Sequence, residues 1–139
     1  MTSVLSVTVG GGPHCGAMTS LTRAELGALG ERLAVDHLLE RGLVVLDRNW
    51  RCQFGELDVI AADISARTVV FVEVKTRTSD RFGGPAQAVT ADKLRRLRRL
   101  AGQWLAQHND SWATIRIDVI GVRIGRRARP EITHLQAVG

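Results

Sequence analysis

Two short segments of the sequence carry acidic residues and a lysine at alternating positions. The first is Gly55-Glu56-Leu57-Asp58, and the second is Phe71-Val72-Glu73-Val74-Lys75. Every second residue of a β-strand points to the same face of a sheet, so Glu73 and Lys75 share a face if the second segment is a strand. Carboxylate oxygens suit a hard divalent cation such as Mg²⁺ or Mn²⁺, which leaves positions for waters and a substrate phosphate. These residue types indicate metal-assisted hydrolysis of a phosphate ester, provided that the fold joins the two segments.

A β-hairpin is the element that would join them. If its turn is centred at 65–66, Asp58 lies opposite Glu73 and Glu56 lies opposite Lys75. Directly opposed residues of an antiparallel pair hold their Cβ atoms about 4.5–5.5 Å apart, close enough for two carboxylates to bind one cation. Lys75 would then orient an attacking water or stabilise the charge that develops on the phosphate.

A second interpretation of this cluster is open. The same residues would form a cross-strand ladder of salt bridges on a solvated edge, and a register shift of one residue would separate the carboxylates. Ile60 and Phe71, which are apolar and lie on the same predicted face, favour a partly covered concave site instead.

Glu31 is a further acidic candidate, because its place on the first predicted helix is unusual. The polar stripe of that helix consists of Glu25, Arg32, Asp36 and Glu40, whereas Glu31 projects among Gly27, Ala34, Val35 and Leu38. Burial of an unpaired carboxylate is costly, so Glu31 should face a cation or water at an active site. The alternative is a buried ion pair with an arginine such as Arg116.

The remaining elements follow from caps, breakers and hydrophobic periodicity. Thr22 and Glu25 form a capping box that starts a helix reaching about Arg41, and a second helix follows Thr90. The predicted strands are 43–46, 56–62, 68–76, 114–124 and a last edge strand at 131–138, with residues 47–49 as a polar connection. The order is α-β-β-β-α-β-β, which predicts a mixed α/β fold with a central sheet flanked by helices.

Positive charge is concentrated in one part of the chain. The whole sequence carries +5, yet the segment from Lys75 to Arg99 alone has eight basic and two acidic residues. Such a block is typical of a protein that binds a phosphate-bearing partner, although it would also suit a merely solvated helix face. The candidate nucleic-acid contacts are Arg77, Lys93, Arg95, Arg96 and Arg99.

Length and composition limit the possible domain organisation and cellular location. The 139 residues, of which 45% are hydrophobic, suit one domain, which we assign to 20–139 after a flexible leader at 1–19. Met18 is an alternative start. No apolar run reaches the roughly 18 residues of a membrane span. Cys15 and Cys52 have neither zinc-ligand nor disulfide spacing, which fits a reducing cytoplasm.

The acidic and basic motifs resemble those of the YraN-like family of predicted endonucleases. The resemblance covers about 21–138 and rests on 55–58, 71–77, Gly30-Glu31 upstream and 116–119 downstream. This family is similar to the restriction-endonuclease-like superfamily with the PD-(D/E)xK motif and to Holliday junction resolvases, and it implies a core of order α-β-β-β-α-β. The proline of that motif is absent, and Glu56 stands two residues before Asp58.

The resemblance also implies residue roles. Asp58 and Glu73 would be metal ligands, Lys75 the catalytic lysine, and Glu31 an outer ligand of the metal or of a water. Gln87 corresponds to a glutamine that related nucleases place near the site, although a surface position is the simpler interpretation.

Three functions are consistent with these observations. The leading hypothesis is a Mg²⁺- or Mn²⁺-dependent DNA endonuclease, acting on branched DNA and as a homodimer if its substrate is symmetric. The second is a module that binds nucleic acid without cutting it. The third, a protein-interaction domain, would use Trp50, Trp104 and Trp112, although Trp104 lies on the apolar stripe of the second helix.

Overall fold

From the first helix onward, the helices and strands follow one another in the predicted order. A computed structural model describes residues 3–8, 21–78, 89–125 and 129–139. The strands are β1 (Ser3–Thr8), β2 (Val44–Cys52), β3 (Gly55–Asp63), β4 (Thr68–Arg77), β5 (Thr114–Arg123) and β6 (Glu131–Gln136), and the helices are α1 (Arg23–Glu40) and α2 (Ala91–Ala106). From α1 to β5 the order is α-β-β-β-α-β, which confirms the mixed α/β class.

All described strands belong to one sheet with the order β1-β6-β5-β4-β3-β2. Among them, β4 and β5 are the parallel pair, and the other neighbours are antiparallel. Parallel strands require a crossover connection, and α2 lies within the segment that joins β4 to β5. Neither helix of the described chain is long and apolar enough to cross a membrane.

The two helices cover opposite faces of the sheet. Val70 and Val72 of β4 belong to the core beneath α1, whereas Val69 and Phe71 belong to the core beneath α2. Residues 68–72 are therefore all buried, as in a strand covered on both faces. The second half of β4 is only partly buried, so its charged residues lie where the strand leaves the core.

The helix starts agree with the sequence prediction. The Thr22 hydroxyl accepts the amide of Glu25, and the Glu25 carboxylate accepts the amide of Thr22, which confirms the capping box. The Thr90 hydroxyl accepts the amide of Lys93 at the start of α2. The predicted apolar stripe of α2 is confirmed as its buried side, and Trp104 is 2% exposed.

Strand β2 is longer than predicted. Residues 47–49, predicted as a connection, continue the strand to Cys52 after a β-bulge between Val45 and Asp47. A bulge re-aims the residues that follow it, and the Asp47 carboxylate accepts the indole N–H of Trp104 at 3.3 Å. The polar residues are compatible with a strand because β2 lies at the edge of the sheet.

The other edge of the sheet also differs from the prediction. Strand β6 ends at Gln136 and is not an edge strand, because β1 pairs with it antiparallel from Ser3↔Gln136 to Thr8↔Glu131. The predicted leader at 1–19 is therefore wrong for residues 3–8, which form part of the sheet. Their polar and apolar residues do not alternate regularly, since Val4 and Leu5 are adjacent, so the pattern did not predict a strand. Residues 9–20 lie outside the described residues.

A buried polar network connects α1 with β5 and β6. His37 Nε2 lies 3.0 Å from His134 Nδ1, and His134 Nε2 lies 2.7 Å from Asp118 Oδ2. The Arg116 guanidinium donates two hydrogen bonds to Asp118, and the amide of Ala137 donates a third. Burial raises the pKa of Asp118, but these hydrogen bonds outweigh burial and hold the pKa below its usual range.

This network makes stability depend on pH. Burial lowers the pKa of His37 to about 4, and the charges of His134 and Arg41 act in the same direction. An unfolded chain protonates this histidine near pH 6.5, so acid favours unfolding between these two values. We expect this group to contribute stability above pH 6.5 and to lose about 2 kcal/mol of it toward pH 4. Urea unfolding of the wild type and of His37→Gln across this range measures the effect, and equal pH slopes would contradict it.

Candidate active site

The hairpin of β3 and β4 has the predicted register. Asp63 Oδ1 accepts the Ser65 hydroxyl at 2.8 Å and the amide of Ala66 at 3.2 Å, which fixes the turn between the strands. The backbone pairs run from Asp63↔Thr68 to Val59↔Val72. This confirms the predicted register and excludes the shift of one residue that would have separated the carboxylates.

The pairing of β3 with β4 ends where the acidic residues begin. Beyond Val59 a side chain replaces the backbone as hydrogen-bond acceptor, since Asp58 Oδ2 accepts the amide of Val74 at 2.8 Å. A cleft of about 420 Å³ lies at this end of the hairpin. Its lining residues are Phe54, Gly55, Glu56, Asp58, Glu73, Val74, Lys75 and Arg96. The fold thus brings Asp58, Glu73 and Lys75 together, as the sequence predicts.

Asp58 lies in an environment that disfavours its charge. Burial raises the pKa of Asp58 to about 6, although the hydrogen bond from Val74 opposes this shift. The carboxylates of Glu31, Glu73 and Glu56 raise it further. A buried carboxylate among other carboxylates is relieved either by a proton or by a cation, so this group is suited to bind a positive ligand.

Glu31 reaches the same region from α1. Its Oε1 atom is buried and has no hydrogen-bond partner among the described residues, and its charge is close enough to act on Asp58. The alternative ion pair of Glu31 with Arg116 is wrong, because Arg116 binds Asp118 at 2.9 Å. An orphaned buried oxygen beside Asp58 agrees with the prediction that Glu31 faces a cation or water.

Gly30 explains how α1 comes so close to β4. A Cβ atom at this position would overlap the Thr76 hydroxyl and lie 2.9 Å from both Thr76 Cβ and Thr76 Cγ2. The absence of a side chain therefore allows the helix to pack directly on the strand that carries Glu73 and Lys75. The next residue along the helix is Glu31, so this contact also positions that carboxylate.

Gly30→Ala should destabilise the fold at this contact. Overpacking in a core costs about 1–3 kcal/mol, and we expect a loss in this range because the obstructing atoms belong to a β-branched side chain on a central strand. Gly27→Ala in the same helix is the matched control, since nothing lies within 4 Å of its added Cβ, and it should stabilise the protein by up to about 1 kcal/mol. Urea unfolding compares the two, and equal effects would exclude this role for Gly30.

Glu73 is held by two cations from α2. Lys93 Nζ lies 3.3 Å from Glu73 Oε2, and an Arg96 nitrogen lies 3.5 Å from Glu73 Oε1. The Glu73 side chain is only 12% exposed. Burial lowers the pKa of Lys93, and contact with Lys75 lowers it further, while Glu73 opposes the shift. Two lysines and one arginine therefore converge on the carboxylates.

The predicted nucleic-acid contacts separate into two groups. Lys93, Arg96 and Arg99 lie at or beside the cleft, and the Arg99 guanidinium stacks over the Phe54 ring at 3.6 Å. Arg95 is instead exposed and paired with Asp92 one turn earlier on α2. Arg77 lies on β4 beyond Lys75, and its Nε is buried with no partner among the described residues. Gln87 lies outside the described residues.

A divalent cation fits these residues only with help from other ligands. Within the described ranges, no group of three or more His, Cys, Asp or Glu side chains is arranged to hold an ion. Mg²⁺ needs one or two carboxylates and completes its coordination with waters and phosphate oxygens. Asp58, with its raised pKa, and the orphaned oxygen of Glu31 suit such a cation, and Glu73 is adjacent but paired with basic residues. The donor set therefore fits a hydrated metal rather than an all-protein cage.

Sequence reasoning missed two features of this region. Phe54 was not singled out, because a single aromatic residue before a glycine carries no distinctive pattern. The ion pairs of Glu73 with α2 were also missed, because they depend on how that helix crosses the end of the sheet. The Lys-x-x-Arg spacing of Lys93 and Arg96, which places both on one side of a helix, was the available signal.

Fold and site together define a class of mixed α/β proteins. In this chain an α-β-β-β-α-β core places carboxylates and a lysine at the open end of the central hairpin. The chain belongs to the uncharacterised protein family UPF0102, whose family model matches residues 30–122. This is the YraN family, so the resemblance noted from the sequence is confirmed.

Mycobacterial proteins are similar to this chain over most of its length. A UPF0102 protein of Mycobacterium ulcerans is 68% identical over 122 residues, which cover 88% of this chain and 100% of the relative. One from Mycobacterium sp. strain KMS is 69% identical over 121 residues, covering 87% and 90%. One from Mycolicibacterium smegmatis is 65% identical over 122 residues, covering 88% and 98%. All three carry the family name alone.

Proposed function

We propose that this protein is a metal-dependent endonuclease that hydrolyses DNA phosphodiesters with Mg²⁺ or Mn²⁺. The observation that carries the proposal is the cleft at the open end of the β3–β4 hairpin, where Asp58, Glu73 and Lys75 line one cavity. Two features support a positive ligand there: the raised pKa of Asp58, and the Glu31 oxygen that has no partner among the described residues. A ladder of salt bridges on a solvated edge would explain neither the raised pKa nor the buried Glu31 oxygen.

Each acidic and basic group has a role in this proposal. Asp58 and Glu73 hold the metal, and Glu31 binds it or one of its waters. A divalent cation at this position supplies Lewis-acid activation of a water and of the phosphate. Lys75 lines the same cleft, where its ammonium would stabilise the charge that develops on the phosphate oxygens.

The basic residues of α2 bind the backbone of the substrate. Lys93 and Arg96 neutralise Glu73 in the substrate-free protein, and a phosphate would compete for the same cations. Arg99 beside Phe54, Arg77 on β4 and the exposed Arg95 on α2 would add further positive charge. Contacts of this kind add affinity that falls steeply with salt and carry no sequence information. We further propose that the enzyme acts in the cytoplasm, and as a homodimer if its substrate is a symmetric branch.

A second candidate is a nucleic-acid-binding module that does not cut. The observation in its favour is that Glu73 already has two cationic partners, while no described group of three ligands is assembled for a metal. In such a module the carboxylates would serve only to position the basic residues of α2.

Cleavage of a labelled panel distinguishes the two candidates. The panel contains a four-way junction, a flap, a single strand and a duplex, each as DNA and as RNA, incubated with Mn²⁺, Mg²⁺ or EDTA. The Lys75→Ala protein, purified in parallel, controls for a contaminating nuclease. We expect metal-dependent cutting by the wild type that is lost in the variant, together with binding that weakens as salt rises.

The opposite results have clear meanings. Binding without cutting, equal in both proteins and insensitive to EDTA, would overturn the nuclease and favour the binding module. Cutting that is equal in the wild type, in Lys75→Ala and in Asp58→Asn would identify a contaminant. Absence of both binding and cutting would exclude both candidates.

A further inference from the structure

An aromatic ring and a guanidinium are stacked at the rim of the cleft. The Arg99 Cζ atom lies 3.6 Å from the centroid of the Phe54 ring. Phe54 also lines the cleft that contains Asp58 and Glu73. The stack therefore lies beside the carboxylates at which a phosphate would be cleaved, and neither of its members is needed for metal binding.

The backbone and the core hold this stack in place. Phe54 occupies the turn between β2 and β3 and packs against the apolar cluster beneath α2. The following residue, Gly55, has φ +136°, a conformation that L side chains rarely adopt. A Cβ there would approach the Leu100 side chain at 3.7 Å, so the turn rests on α2 next to the residue that supplies the guanidinium. Both members of the stack are thus attached to rigid elements.

The Arg99 guanidinium remains accessible on the side away from the Phe54 ring. Arg99 is exposed, and within the described part of the chain no carboxylate pairs with it. Its neighbours on α2 differ in this respect, because Arg95 binds Asp92 and Arg98 donates to the Gly139 carbonyl at 2.8 Å. A planar cation supported on one side by an aromatic ring presents a flat surface on the other side.

Flat cationic and aromatic surfaces suit nucleobases. Unpaired bases stack on aromatic rings and on Arg guanidinium planes, and each such contact is worth about 1–3 kcal/mol. A base inside a duplex has both faces covered by its neighbours and cannot reach such a surface without leaving the stack. Phosphate binding alone would need a positive charge but not a plane.

We propose that Phe54 and Arg99 form a stacking platform for an unpaired base, so that the cleft takes nucleic acid with unpaired nucleotides next to the cleaved phosphate. This inference rests on the proposed function and specifies its substrate class. Arg99 acts as the stacking surface and Phe54 as the support that keeps its guanidinium flat. The preference for unpaired nucleotides then arises from two residues outside the carboxylate cluster.

Binding measured in EDTA tests the platform apart from cleavage. Fluorescence anisotropy compares a labelled single strand, the same strand with abasic sites, and a duplex, in DNA and RNA versions. The variants are Arg99→Lys, which keeps the charge and removes the plane, and Phe54→Leu, which keeps the apolar contact and removes the ring. Arg98→Lys is the matched control on the same helix, because Arg98 contacts the C-terminal residue rather than Phe54.

We expect the wild type and Arg98→Lys to bind the intact single strand about tenfold more tightly than the abasic strand. In Arg99→Lys and Phe54→Leu this ratio should fall to about one, while duplex binding changes less than about twofold. Thermal melting checks that both variants are folded. Unchanged base preference in folded Arg99→Lys would overturn the proposal and make the stack a packing contact only.

The two proposals fail in different ways. If the panel shows metal-dependent cleavage but the abasic strand binds as well as the intact one, the platform is excluded and the nuclease stands. If base preference depends on Arg99 but nothing is cut, the platform stands on a module that only binds. A preference confined to the DNA or the RNA arm, and lost in Arg99→Lys, supports the platform and identifies the nucleic acid.

Discussion

Lys75→Ala is expected to lower the rate of metal-dependent cleavage by about 10²–10³-fold, because removal of one group that stabilises developing charge has an effect of this size. Lys75 lines the cleft with Glu56, Asp58 and Glu73, and no carboxylate of the described residues forms a salt bridge with it. Its ammonium is therefore available to a substrate. Single-turnover cleavage with saturating Mn²⁺ measures the effect without a contribution from product release.

A charge-preserving variant separates catalysis from simple attraction of the substrate. Lys75→Arg keeps the positive charge but places it on a longer planar group, so we expect binding in EDTA within about twofold of the wild type and a cleavage rate still reduced at least tenfold. Lys93, which contacts Lys75, remains in both variants and maintains the positive potential of the cleft. Wild-type rates in both variants would remove Lys75 from the mechanism.

The register of the central hairpin was predictable because several local signals agree. Asp63 and Ser65 form a turn with their own side chains, and this turn fixes the pairing of β3 with β4. A slip of one residue would break the turn and move each side chain of the strand to the opposite face of the sheet. The placement of Asp58 relative to Glu73 follows from that register, which is why the acidic end of the hairpin was identified correctly.

Other parts of the fold depend on contacts that no local pattern shows. His37 and His134 are 97 residues apart in the chain, and their contact arises only when α1 packs on the sheet beside β6. The continuation of β2 through Asp47 depends on a bulge that brings its carboxylate to the indole of Trp104. In both places a polar side chain of a strand or helix has a buried partner from a distant element. The spacing of residues along the sequence does not predict that partner.

The acidic site also combines contacts that local patterns predict with contacts that depend on a distant element. Asp58 and Glu73 come from neighbouring strands and could be predicted to lie together, whereas the cations that neutralise Glu73 come from α2. The consequence is functional, because the same Lys93 and Arg96 are the proposed phosphate contacts. A bound polyanion would compete with Glu73 for them, so under the proposed function substrate binding would release Glu73, a proposed metal ligand, from its ion pairs.

Asp58→Asn is expected to abolish metal-dependent cleavage, with a loss greater than about 10³-fold, and at the same time to stabilise the folded protein at neutral pH. The first effect follows because an amide is a poor ligand for a hard divalent cation and Asp58 is the proposed central ligand. Single-turnover cleavage with Mn²⁺ and with Mg²⁺ measures it. Cleavage by the variant within tenfold of the wild type would exclude Asp58 as a ligand.

The stabilising effect follows from the environment of this carboxylate. The pKa of Asp58 is raised from 3.8 to about 6, chiefly by burial and also by three neighbouring carboxylates, so its charged form costs folding free energy above pH 6. An uncharged Asn removes this cost and still accepts the amide of Val74, so we expect about 1–2 kcal/mol of added stability near pH 8. As the pH falls through 6 toward 4 the wild-type carboxyl gains its proton in the folded state, and the advantage of the variant should disappear. Urea unfolding without divalent metal at pH 8 and pH 4.5 tests this. An advantage that persists at the lower pH, or a variant less stable at pH 8, would show that the charge of Asp58 does not destabilise the fold. The expected pattern would instead identify a carboxylate that is retained for binding at the expense of stability.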